Sequence, residues 1–469
     1  MMFFRGEKFP KDEQNPRGIL YVKLEEGAQS LFCYSKLTYD GMESEGSFTR
    51  SLEGKEKFDR LRKTVVGTAV LEACSKLTGY NPPWGLLTGI RPSVVASELM
   101  EQCSEGEAQR CLEKDYLLSA SKARLALEVA KNENQITKKY GNDTCSIYIS
   151  IPFCPTRCTY CSFISYATKN LFKLIPDYVE RLKQDILNTF EAINELGLTV
   201  STVYVGGGTP TTLDCEQLEV ILSTVSVCLD GRRLNEFTVE GGRPDTINKE
   251  KLSILKKYGV TRISVNPQTL NDTVLESIGR RHTEQDFYNA FELVKKSDFS
   301  VVNTDLIAGL EKDTFDSFVR TVDKIVELNP ENITVHSFSV KKSAQILQND
   351  KDIYHKNGDY AVQSVDYAYE KLTKCGYVPY YMYRQKNTVS DLENVGYAKV
   401  GTFCDYNVLM MGDGHTVFGV GAGSTTKLVK NIGGKKEILR IFRPKYPYEY
   451  LQDNQSNFEE IIRFMKGGT

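Results

Sequence analysis

The chain has 469 residues, of which 41% are hydrophobic, and a formal net charge of -2 at pH 7. This length predicts two or three domains with sizeable cores, and the near-neutral charge gives no reason to expect nucleic acid or an anionic membrane as a partner. Residues 1–14 are too charged for a signal peptide, and no apolar run of about 18 residues predicts a transmembrane helix. The twelve cysteines are mostly scattered, which predicts free thiols in a reducing compartment such as the cytoplasm.

Residues 1–140 are predicted to form an N-terminal α+β domain. Residues 18–24 and 29–37 have the composition of strands. Residues 55–78 are predicted to be a helix because Phe58, Leu61, Val65 and Ala69 lie near one face, and residues 117–138 are predicted to be a second helix. Residues 81–93, which include the single tryptophan Trp84, hold many turn residues and are predicted to be an ordered loop.

Strand and helix patterns alternate from residue 141 to residue 340. We predict strands at residues 147–151, 202–206, 236–241, 262–267, 301–308 and 332–338, and helices at 176–196, 216–229, 249–258, 284–296 and 314–328. This alternation predicts a parallel sheet with right-handed crossovers. Six strands are too few for a closed eight-stranded barrel, and in such folds the chemistry lies at the carboxyl ends of the strands.

Three cysteines follow the first of these strands. Cys154, Cys158 and Cys161 have the spacing C-x3-C-x2-C, on a loop that Pro152 and Pro155 stiffen. Three thiolates can hold three corners of a [4Fe-4S] cluster and leave the fourth iron open to a small molecule. A structural zinc site would need a fourth ligand, and the chain has no second C-x2-C pair. The remaining alternative is three buried, unreactive thiols, which this spacing makes the weaker interpretation.

The cysteine motif resembles the signature of radical S-adenosylmethionine (SAM) enzymes. Tyr148-x3-Pro152-Phe153-Cys154 is similar to the branch that contains the oxygen-independent coproporphyrinogen III oxidases, and residues 81–93, 393–397 and 418–424 resemble its HemZ-type subgroup. The resemblance implies an α/β fold, a partial (β/α)6 barrel with an N-terminal α+β domain and a C-terminal α+β extension. It also implies that SAM binds the open iron through its amino and carboxylate groups. Reduction of the cluster would cleave SAM to methionine and a 5′-deoxyadenosyl radical.

Two motifs at predicted strand ends are glycine-rich. Gly206-Gly207-Gly208-Thr209-Pro210 could be a tight turn, but its glycines would also let a ligand lie against the backbone. The resemblance assigns Gly207, Gly208 and Thr209 to the methionine amino group of SAM. The next strand ends in Glu240, which the resemblance also assigns to SAM and which could otherwise pair with Arg243. Arg243 departs from the pattern of the classical oxidases.

The following strands carry further residues of the predicted SAM site. The resemblance matches Gln268 to a SAM-contacting glutamine and Arg280 to the SAM carboxylate, although Arg280 could also belong to a solvated turn. Asp305 lies within an apolar strand, where a charge is costly unless it binds something; the resemblance assigns it to a ribose hydroxyl. Three further cofactor-binding residues are predicted: Tyr148, Tyr160 and Ser339.

Residues 341–469 are predicted to cover the substrate. A helix at 359–375 precedes a stretch with four tyrosines, Arg384 and Lys386. Aromatic faces suit a flat macrocycle and cations suit its carboxylates, so Tyr383 and Arg384 are predicted catalytic residues. A β-strand with cross-strand aromatic pairs is the alternative. The glycines at 418–424 suit contact with a planar ligand or a joint between domains, and His336 is more often a core histidine than a substrate ligand.

The resemblance implies oxidative decarboxylation of coproporphyrinogen III to protoporphyrinogen IX, with a reductant such as flavodoxin or ferredoxin. Two departures weaken identity of activity: Ser150 and Phe163 stand where the classical oxidases have a histidine and a fourth cysteine. A haem-binding carrier without decarboxylase activity and a radical enzyme that modifies haem are therefore the alternatives.

Overall fold

The computed structural model describes most of the chain. The ranges it describes are residues 18–52, 58–87, 91–161, 169–339, 358–385, 388–432, 435–453 and 457–467. Lys386 and Phe163, which the sequence analysis singled out, lie outside these ranges.

The N-terminal part begins with an antiparallel sheet of β1 (Gly18–Glu26), β2 (Ser30–Tyr39) and β3 (Met42–Ser51), in that order among the described residues. Helix α1 (Phe58–Thr78) packs across β2 and β3, and their shared core includes Leu31 and Val65. Gly46 allows the close contact, because a Cβ there would lie 2.1 Å from the Ala69 carbonyl oxygen. The two predicted strands and the helix are confirmed, whereas β3 was not predicted.

Three helices connect this sheet to the rest of the molecule. They are α2 (Pro92–Met100), α3 (Glu105–Lys114) and α4 (Ala120–Thr137), and only α4 was predicted. Ser104 and Glu107 form a capping box at the start of α3, which satisfies two otherwise free backbone amides. Helix α4 is held largely by apolar contacts, and it lies against a strand of the C-terminal region described below.

The central sheet contains all of the strands predicted between residues 141 and 340, each within about three residues of its predicted bounds. They run parallel and are β4 (Thr144–Ile151), β5 (Thr199–Gly207), β6 (Glu236–Gly242), β7 (Arg262–Val265), β8 (Val301–Ala308) and β9 (Asn332–Ser337). The helices between them are α5 (Lys169–Phe172), α6 (Ile175–Glu195), α7 (Cys215–Leu229), α8 (Lys249–Lys257), α9 (Asp272–Ser277), α10 (Glu284–Lys296) and α11 (Phe315–Leu328).

Strands from beyond residue 340 extend the same sheet at both edges. They are β10 (Val378–Arg384), β11 (Glu393–Ala398), β12 (Thr416–Val420), β13 (Thr425–Ile432) and β14 (Lys435–Phe442). Within the described ranges the order is β10-β11-β9-β8-β7-β6-β5-β4-β12-β13-β14. Strand β12 is parallel to β4, so the parallel part is one strand longer than predicted. The boundaries at 140 and 340 stay predictions.

The helices of the C-terminal region within the described ranges are α12 (Gly358–Lys374), α13 (Asp405–Met411), α14 (Pro447–Gln452) and α15 (Phe458–Lys466). Helix α12 was predicted at residues 359–375. No helix in the described part of the chain is both long and apolar enough to cross a membrane.

One face of the central sheet is unusually polar. Arg262 on β7 lies 3.6 Å from Glu236 on β6 and donates hydrogen bonds to the Thr402 and Phe403 carbonyls. Further along the same face, Tyr148, Tyr204 and Tyr406 stack, with ring centroids 4.5 to 6.2 Å apart. This face leads to the carboxyl ends of the parallel strands, where polar side chains collect.

Candidate active site

The three cysteines lie on the loop that leaves the carboxyl end of β4. Cys158 is buried, while Cys154 and Cys161 are half-buried. The loop is fixed by backbone hydrogen bonds on two sides. Gly208 and Thr209 donate to the Ile151 and Phe153 carbonyls at 2.7 and 2.8 Å. Thr159 donates to the Ile278 carbonyl at 3.1 Å, so neighbouring strand ends hold the cysteines in place.

The donor set fits a [4Fe-4S] cluster better than a single metal ion. Among the described residues, no three His, Cys, Asp or Glu side chains lie close enough together to ligate one ion. A cubane spreads its thiolates over separate irons, so they need not be that close. Cys154 interacts electrostatically with Cys158 and Cys161, and none of the twelve cysteines, all of which the structure describes, is in a disulfide bond. The three therefore remain available as ligands.

The glycine-rich segment after β5 lies directly against the cysteine loop. A Cβ on Gly208 would approach the Phe153 carbonyl oxygen to 2.6 Å, so glycine is required at this position. Gly207 has φ of +109°, a conformation that favours glycine. The Thr209 hydroxyl lies 3.3 Å from the Cys154 sulfur. The predicted residues of this segment are thus brought together with the cluster ligands.

Glu240 lies at the end of β6 and faces β5. It accepts a hydrogen bond from the Tyr204 hydroxyl at 2.6 Å and another from the Gly207 amide. Burial raises the pKa of the Glu240 carboxyl to about 7. The possible Arg243–Glu240 pair is wrong, because Arg243 pairs with Asp245 at 3.4 Å. Glu240 is therefore a half-buried carboxyl that forms no ion pair with Arg243.

Asp305 on β8 is oriented by amides from two strands. Asn266 and Asn303 donate to its carboxylate at 2.7 and 2.8 Å, and His336 Nε2 lies 3.8 Å from it. Burial raises the pKa of Asp305, but the His336 ring and the Asn303 amide outweigh it, so the pKa lies below its usual value. Asp305 is thus an ionised carboxylate at neutral pH, close enough to Glu240 for the two charges to interact.

Gln268, which follows β7, and Arg280, which follows α9, lie beside the same polar residues. Gln268 has φ of +69°, donates its amide to the Asp305 carbonyl, and has a buried side-chain oxygen without a partner among the described residues. Such an orphaned oxygen is costly unless a ligand satisfies it. Arg280 donates to the Asn266 carbonyl at 2.6 Å and hydrogen bonds with Tyr160. Arg280 is 8% exposed, which excludes the solvated turn.

The profile of the radical SAM superfamily matches residues 148–325, the segment that carries this pocket. The chain is 34% identical to the oxygen-independent coproporphyrinogen-III oxidase-like protein HemZ of Bacillus subtilis over 423 residues, which is 89% of this chain and 84% of that protein. The chain belongs to the HemZ-type radical SAM proteins. Superfamily membership implies a [4Fe-4S] cluster and SAM, in agreement with the donor set.

Two further relatives place the HemZ-type chain among its neighbours. The heme chaperone HemW of Bacillus subtilis is 36% identical over 197 residues, 42% of this chain and 51% of that protein. The solved structure of coproporphyrinogen III oxidase HemN from Escherichia coli matches with a TM-score of 0.52 and 22% identity, over 71% of this chain and 72% of that one. The latter supports the radical SAM fold predicted from the sequence.

The aromatic stretch is a strand, as the alternative interpretation had it. Within β10, Tyr380 and Tyr381 are buried, and the Tyr381 ring lies directly over Gly396 of β11. Tyr383 is half-buried, and its hydroxyl lies 3.2 Å from His336 Nδ1. Tyr383 is thus linked through His336 to Asp305 in the predicted SAM pocket. His336 was given little weight from the sequence because an isolated histidine is usually structural.

Arg384 is engaged in packing contacts. Its guanidinium donates to the Leu87 and Asp391 carbonyls and lies 5.5 Å from the centre of the Trp84 ring. These contacts favour a packing role, and its substrate role stays a prediction.

Two segments that resemble the HemZ-type subgroup meet at one buried site. The Trp84 indole donates to Glu393 on β11 at 2.6 Å, and Glu393 also binds the Lys122 ammonium at 2.7 Å. Lys122 and Glu393 are 2% and 1% exposed. Trp84 in the N-terminal loop and Lys122 on α4 therefore both bind Glu393 and connect the N-terminal part of the chain to β11.

The glycines after β12 form a joint within the chain. Gly421 has φ of +93°, and a Cβ there would lie 2.7 Å from the Ser150 carbonyl oxygen. The Ser150 hydroxyl in turn donates to the Ala422 carbonyl at 2.8 Å. Ser150, one of the two departures from the classical oxidases, thus has a packing partner here.

Two predicted cofactor-binding residues, Ser339 and Tyr148, have other contacts in the structure, and Tyr204, which contacts Glu240, was not predicted. Ser339 forms a backbone bridge with Thr388 at the edge of the described ranges, and Tyr148 stacks on Tyr204 and Tyr406. Tyr204 was missed, although it is a tyrosine in an otherwise apolar strand two residues before the glycines. Tyr204 lies two residues before Gly206. Because side chains alternate along a strand, both residues face the same side of the sheet, and this spacing could have indicated a site residue.

Proposed function

We propose that this chain is a radical SAM oxidative decarboxylase that converts propionate side chains of coproporphyrinogen III to vinyl groups, giving protoporphyrinogen IX. The observation that carries the proposal is the polar cluster beside the cysteine loop, where the half-buried Glu240 and Asp305 carboxyl groups lie near the buried, orphaned Gln268 oxygen. The substrate class is supported by similarity to the coproporphyrinogen-III oxidase-like relative.

Each conversion removes one hydrogen atom from the propionate β-carbon, one further electron and CO2, and leaves a carbon–carbon double bond. When bound, the cluster and SAM together supply the 5′-deoxyadenosyl radical, which accepts the hydrogen atom. The further electron needs a separate one-electron acceptor. A reductant of the flavodoxin or ferredoxin class would supply one electron to the cluster for each cleavage of SAM, and cysteines without disulfide bonds suit a reducing cytoplasm.

The chain itself contributes binding and orientation. Cys154, Cys158 and Cys161 hold the cluster. Asp305 and Glu240 accept hydrogen bonds from SAM, and Gln268 and Arg280 line the same pocket. Because Asn266 and Asn303 already orient Asp305, this carboxylate is preorganised for a ligand.

A haem carrier without turnover is the second candidate. It is favoured by Ser150 in place of the histidine of the classical oxidases and by the 36% identity with the heme chaperone HemW. A third candidate is radical modification of haem.

Incubation under anaerobic conditions separates these functions. Cluster-loaded, reduced protein is mixed with SAM and either coproporphyrinogen III or haem, and the products are separated by liquid chromatography and mass spectrometry. The decarboxylase yields vinyl porphyrinogens together with 5′-deoxyadenosine. Stoichiometric haem binding without any product supports the carrier, and a methylated or ring-opened haem supports the haem-modifying enzyme; either contradicts the proposal.

Replacement of Asp305 or Gln268 by alanine should weaken SAM binding without loss of iron. We expect Asp305→Ala to lower SAM affinity about 5- to 150-fold, because a buried partner left unsatisfied costs about 1–3 kcal/mol. Gln268→Ala should act in the same direction. Equilibrium dialysis with radiolabelled SAM, on protein of matched iron content, measures the effect. Thr304→Ala on the same strand is the control, and unchanged affinity in Asp305→Ala and Gln268→Ala would refute the assignment.

SAM affinity should depend on pH through Glu240. The pKa of Glu240 is raised to about 7 by burial, so near neutral pH part of the protein carries a protonated carboxyl. If SAM binds the ionised carboxylate, Glu240 must lose its proton before SAM can bind at a pH below this pKa. Affinity should then rise up to about tenfold per pH unit from about pH 6 and level off above about pH 8. Glu240→Gln should remove this dependence, and its persistence in that variant would show that another group titrates.

The predicted contact between β10 and the substrate can be tested by a substitution at Tyr383. Tyr383→Phe removes the hydroxyl beside His336 and should lower porphyrinogen turnover about tenfold or more, with SAM affinity nearly unchanged. Turnover and SAM binding are measured on the same preparation.

Tyr381→Phe is the matched control, because that ring packs in the core. Arg384→Ala serves as a companion: loss of turnover with retained SAM cleavage supports substrate contact, whereas equal loss of both with a lower Tm means that Arg384 only packs. Full turnover in Tyr383→Phe would move the substrate site away from β10.

A further inference from the structure

Arg243 is the residue after β6 that departs from the classical oxidases, and it is 3% exposed. Each of its three nitrogens has a partner within the chain. Nε donates to Asp245 at 3.4 Å, one terminal nitrogen donates to the Cys158 sulfur at 3.3 Å, and the other donates to the Thr156 hydroxyl at 2.5 Å. Two of the three partners belong to the cysteine loop.

The local backbone directs the Arg243 side chain toward the cysteine loop. Gly242 has φ of +56°, which turns the chain as β6 ends. Residues Pro244–Thr246 then form a short 3-10 turn that begins after Arg243. Thr156 also donates to the Gly279 carbonyl at 3.0 Å, so the hydroxyl that receives Arg243 is itself fixed.

A buried cation needs compensating negative charge. The only carboxylate with a hydrogen bond to Arg243 among the described residues is that of Asp245, which is about one-third exposed. His282 lies nearby but does not add charge, because burial and the two neighbouring guanidinium groups lower its pKa to about 3. The Cys158 thiolate therefore supplies much of the compensation once the cluster is bound.

Arg243 differs from Arg280, the other guanidinium near Cys158. Arg280 has a buried Nε without a partner in the described part of the chain, so it can still receive a ligand. Every nitrogen of Arg243 is already engaged, and its side chain is buried. Arg280 also interacts with Cys158, but of the two only Arg243 has all three of its nitrogens engaged by residues of the chain, so its contacts point to Cys158 and Thr156 rather than to SAM.

We propose that Arg243 raises the reduction potential of the iron–sulfur cluster through its hydrogen bond to Cys158, and that Asp245 moderates this effect. An N–H donor and a positive charge beside a cluster sulfur stabilise the reduced form, which carries one more negative charge. The step concerned is transfer of one electron from the reductant to the cluster. This inference rests on the cluster assignment in the proposed function, but it does not depend on the substrate.

The test is a redox titration of cluster-loaded protein without SAM or substrate, with dithionite as reductant and the reduced cluster followed by electron paramagnetic resonance. Arg243→Gln should lower the ratio of reduced to oxidised cluster about tenfold at a fixed solution potential. This corresponds to a decrease of about 59 mV in the reduction potential of a one-electron couple. Asp245→Asn should shift the ratio in the opposite direction, because the positive charge is then less neutralised. Arg243→Lys, which keeps the charge but loses the fork, should lie between wild type and Arg243→Gln.

Lys251→Gln is the matched control. Lys251 donates to the Thr246 and Thr211 carbonyls near the same turn, and no contact with a cysteine of the loop is present among the described residues. It should leave the potential unchanged. If Arg243→Gln loses iron, Arg243→Lys and Asp245→Asn decide the question. An unchanged potential in Arg243→Gln at full iron content, or a lowered potential in Asp245→Asn, overturns the inference. A wild-type protein without any reducible cluster would instead contradict the proposed function.

Discussion

Replacement of Cys154, Cys158 or Cys161 by alanine is expected to abolish the iron–sulfur cluster. Each thiolate would hold one iron, and among the described residues no other group of three His, Cys, Asp or Glu side chains offers an alternative metal site. The variants should lose the brown colour and the broad visible absorption of the reconstituted protein. Because the cluster supplies the electron for SAM cleavage, 5′-deoxyadenosine formation should vanish as well.

Iron and sulfide analysis of the purified variants measures this effect. Cys145→Ala is the matched control: Cys145 is fully buried in β4, the strand that leads into the loop, and is a free thiol. It should keep a full iron complement. Retention of full iron in all three loop variants would show that the ligands lie elsewhere.

Lys122→Met is expected to cause the largest loss of folding stability of any single substitution considered. It leaves the Glu393 carboxylate buried, with the Trp84 N–H as its remaining side-chain partner among the residues that the structure describes. Burial raises the pKa of Glu393, but Lys122 outweighs it and holds the pKa below its usual value. Removal of one member of a buried ion pair costs about 3–5 kcal/mol. Urea unfolding followed by circular dichroism measures the change.

Two comparisons separate the buried pair from its exposed neighbour. Asp366 also binds Lys122, at 2.9 Å, but its side chain is 45% exposed. Asp366→Asn should therefore cost no more than about 1 kcal/mol. The double variant Lys122→Met with Glu393→Gln should recover much of the lost stability, because no uncompensated charge remains. Equal effects of Lys122→Met and Asp366→Asn would show that the pair is not a buried, coupled unit.

The central sheet could be predicted because its strands are short apolar runs separated by helical periodicity. Glu240, Gln268 and Asp305 were assigned to SAM by resemblance to the radical SAM family, and the rule that chemistry lies at the carboxyl ends of parallel strands agreed with that assignment. Strand β3 was missed because it is largely polar and exposed, although Asp40-Gly41, with φ of +47° and +80°, is a typical hairpin turn.

The contacts that complete the site could not be predicted, because they join residues far apart in the sequence. The hydrogen bond from Arg243 to Cys158 spans 85 positions, and that from Trp84 to Glu393 spans 309. No local pattern encodes such pairs. The glycines at 418–424 were predicted to contact either a planar ligand or a joint between domains, and the sequence could not show that Gly421 packs against β4 at Ser150.

The measurement that tests the central claim most directly follows a hydrogen atom from substrate to cofactor. Coproporphyrinogen III carrying deuterium at the propionate β-carbons is incubated with SAM and the reduced, cluster-loaded protein, and the 5′-deoxyadenosine formed is analysed by mass spectrometry. The account predicts that 5′-deoxyadenosine gains one deuterium for each vinyl group formed. Unlabelled 5′-deoxyadenosine with unchanged coproporphyrinogen would contradict it.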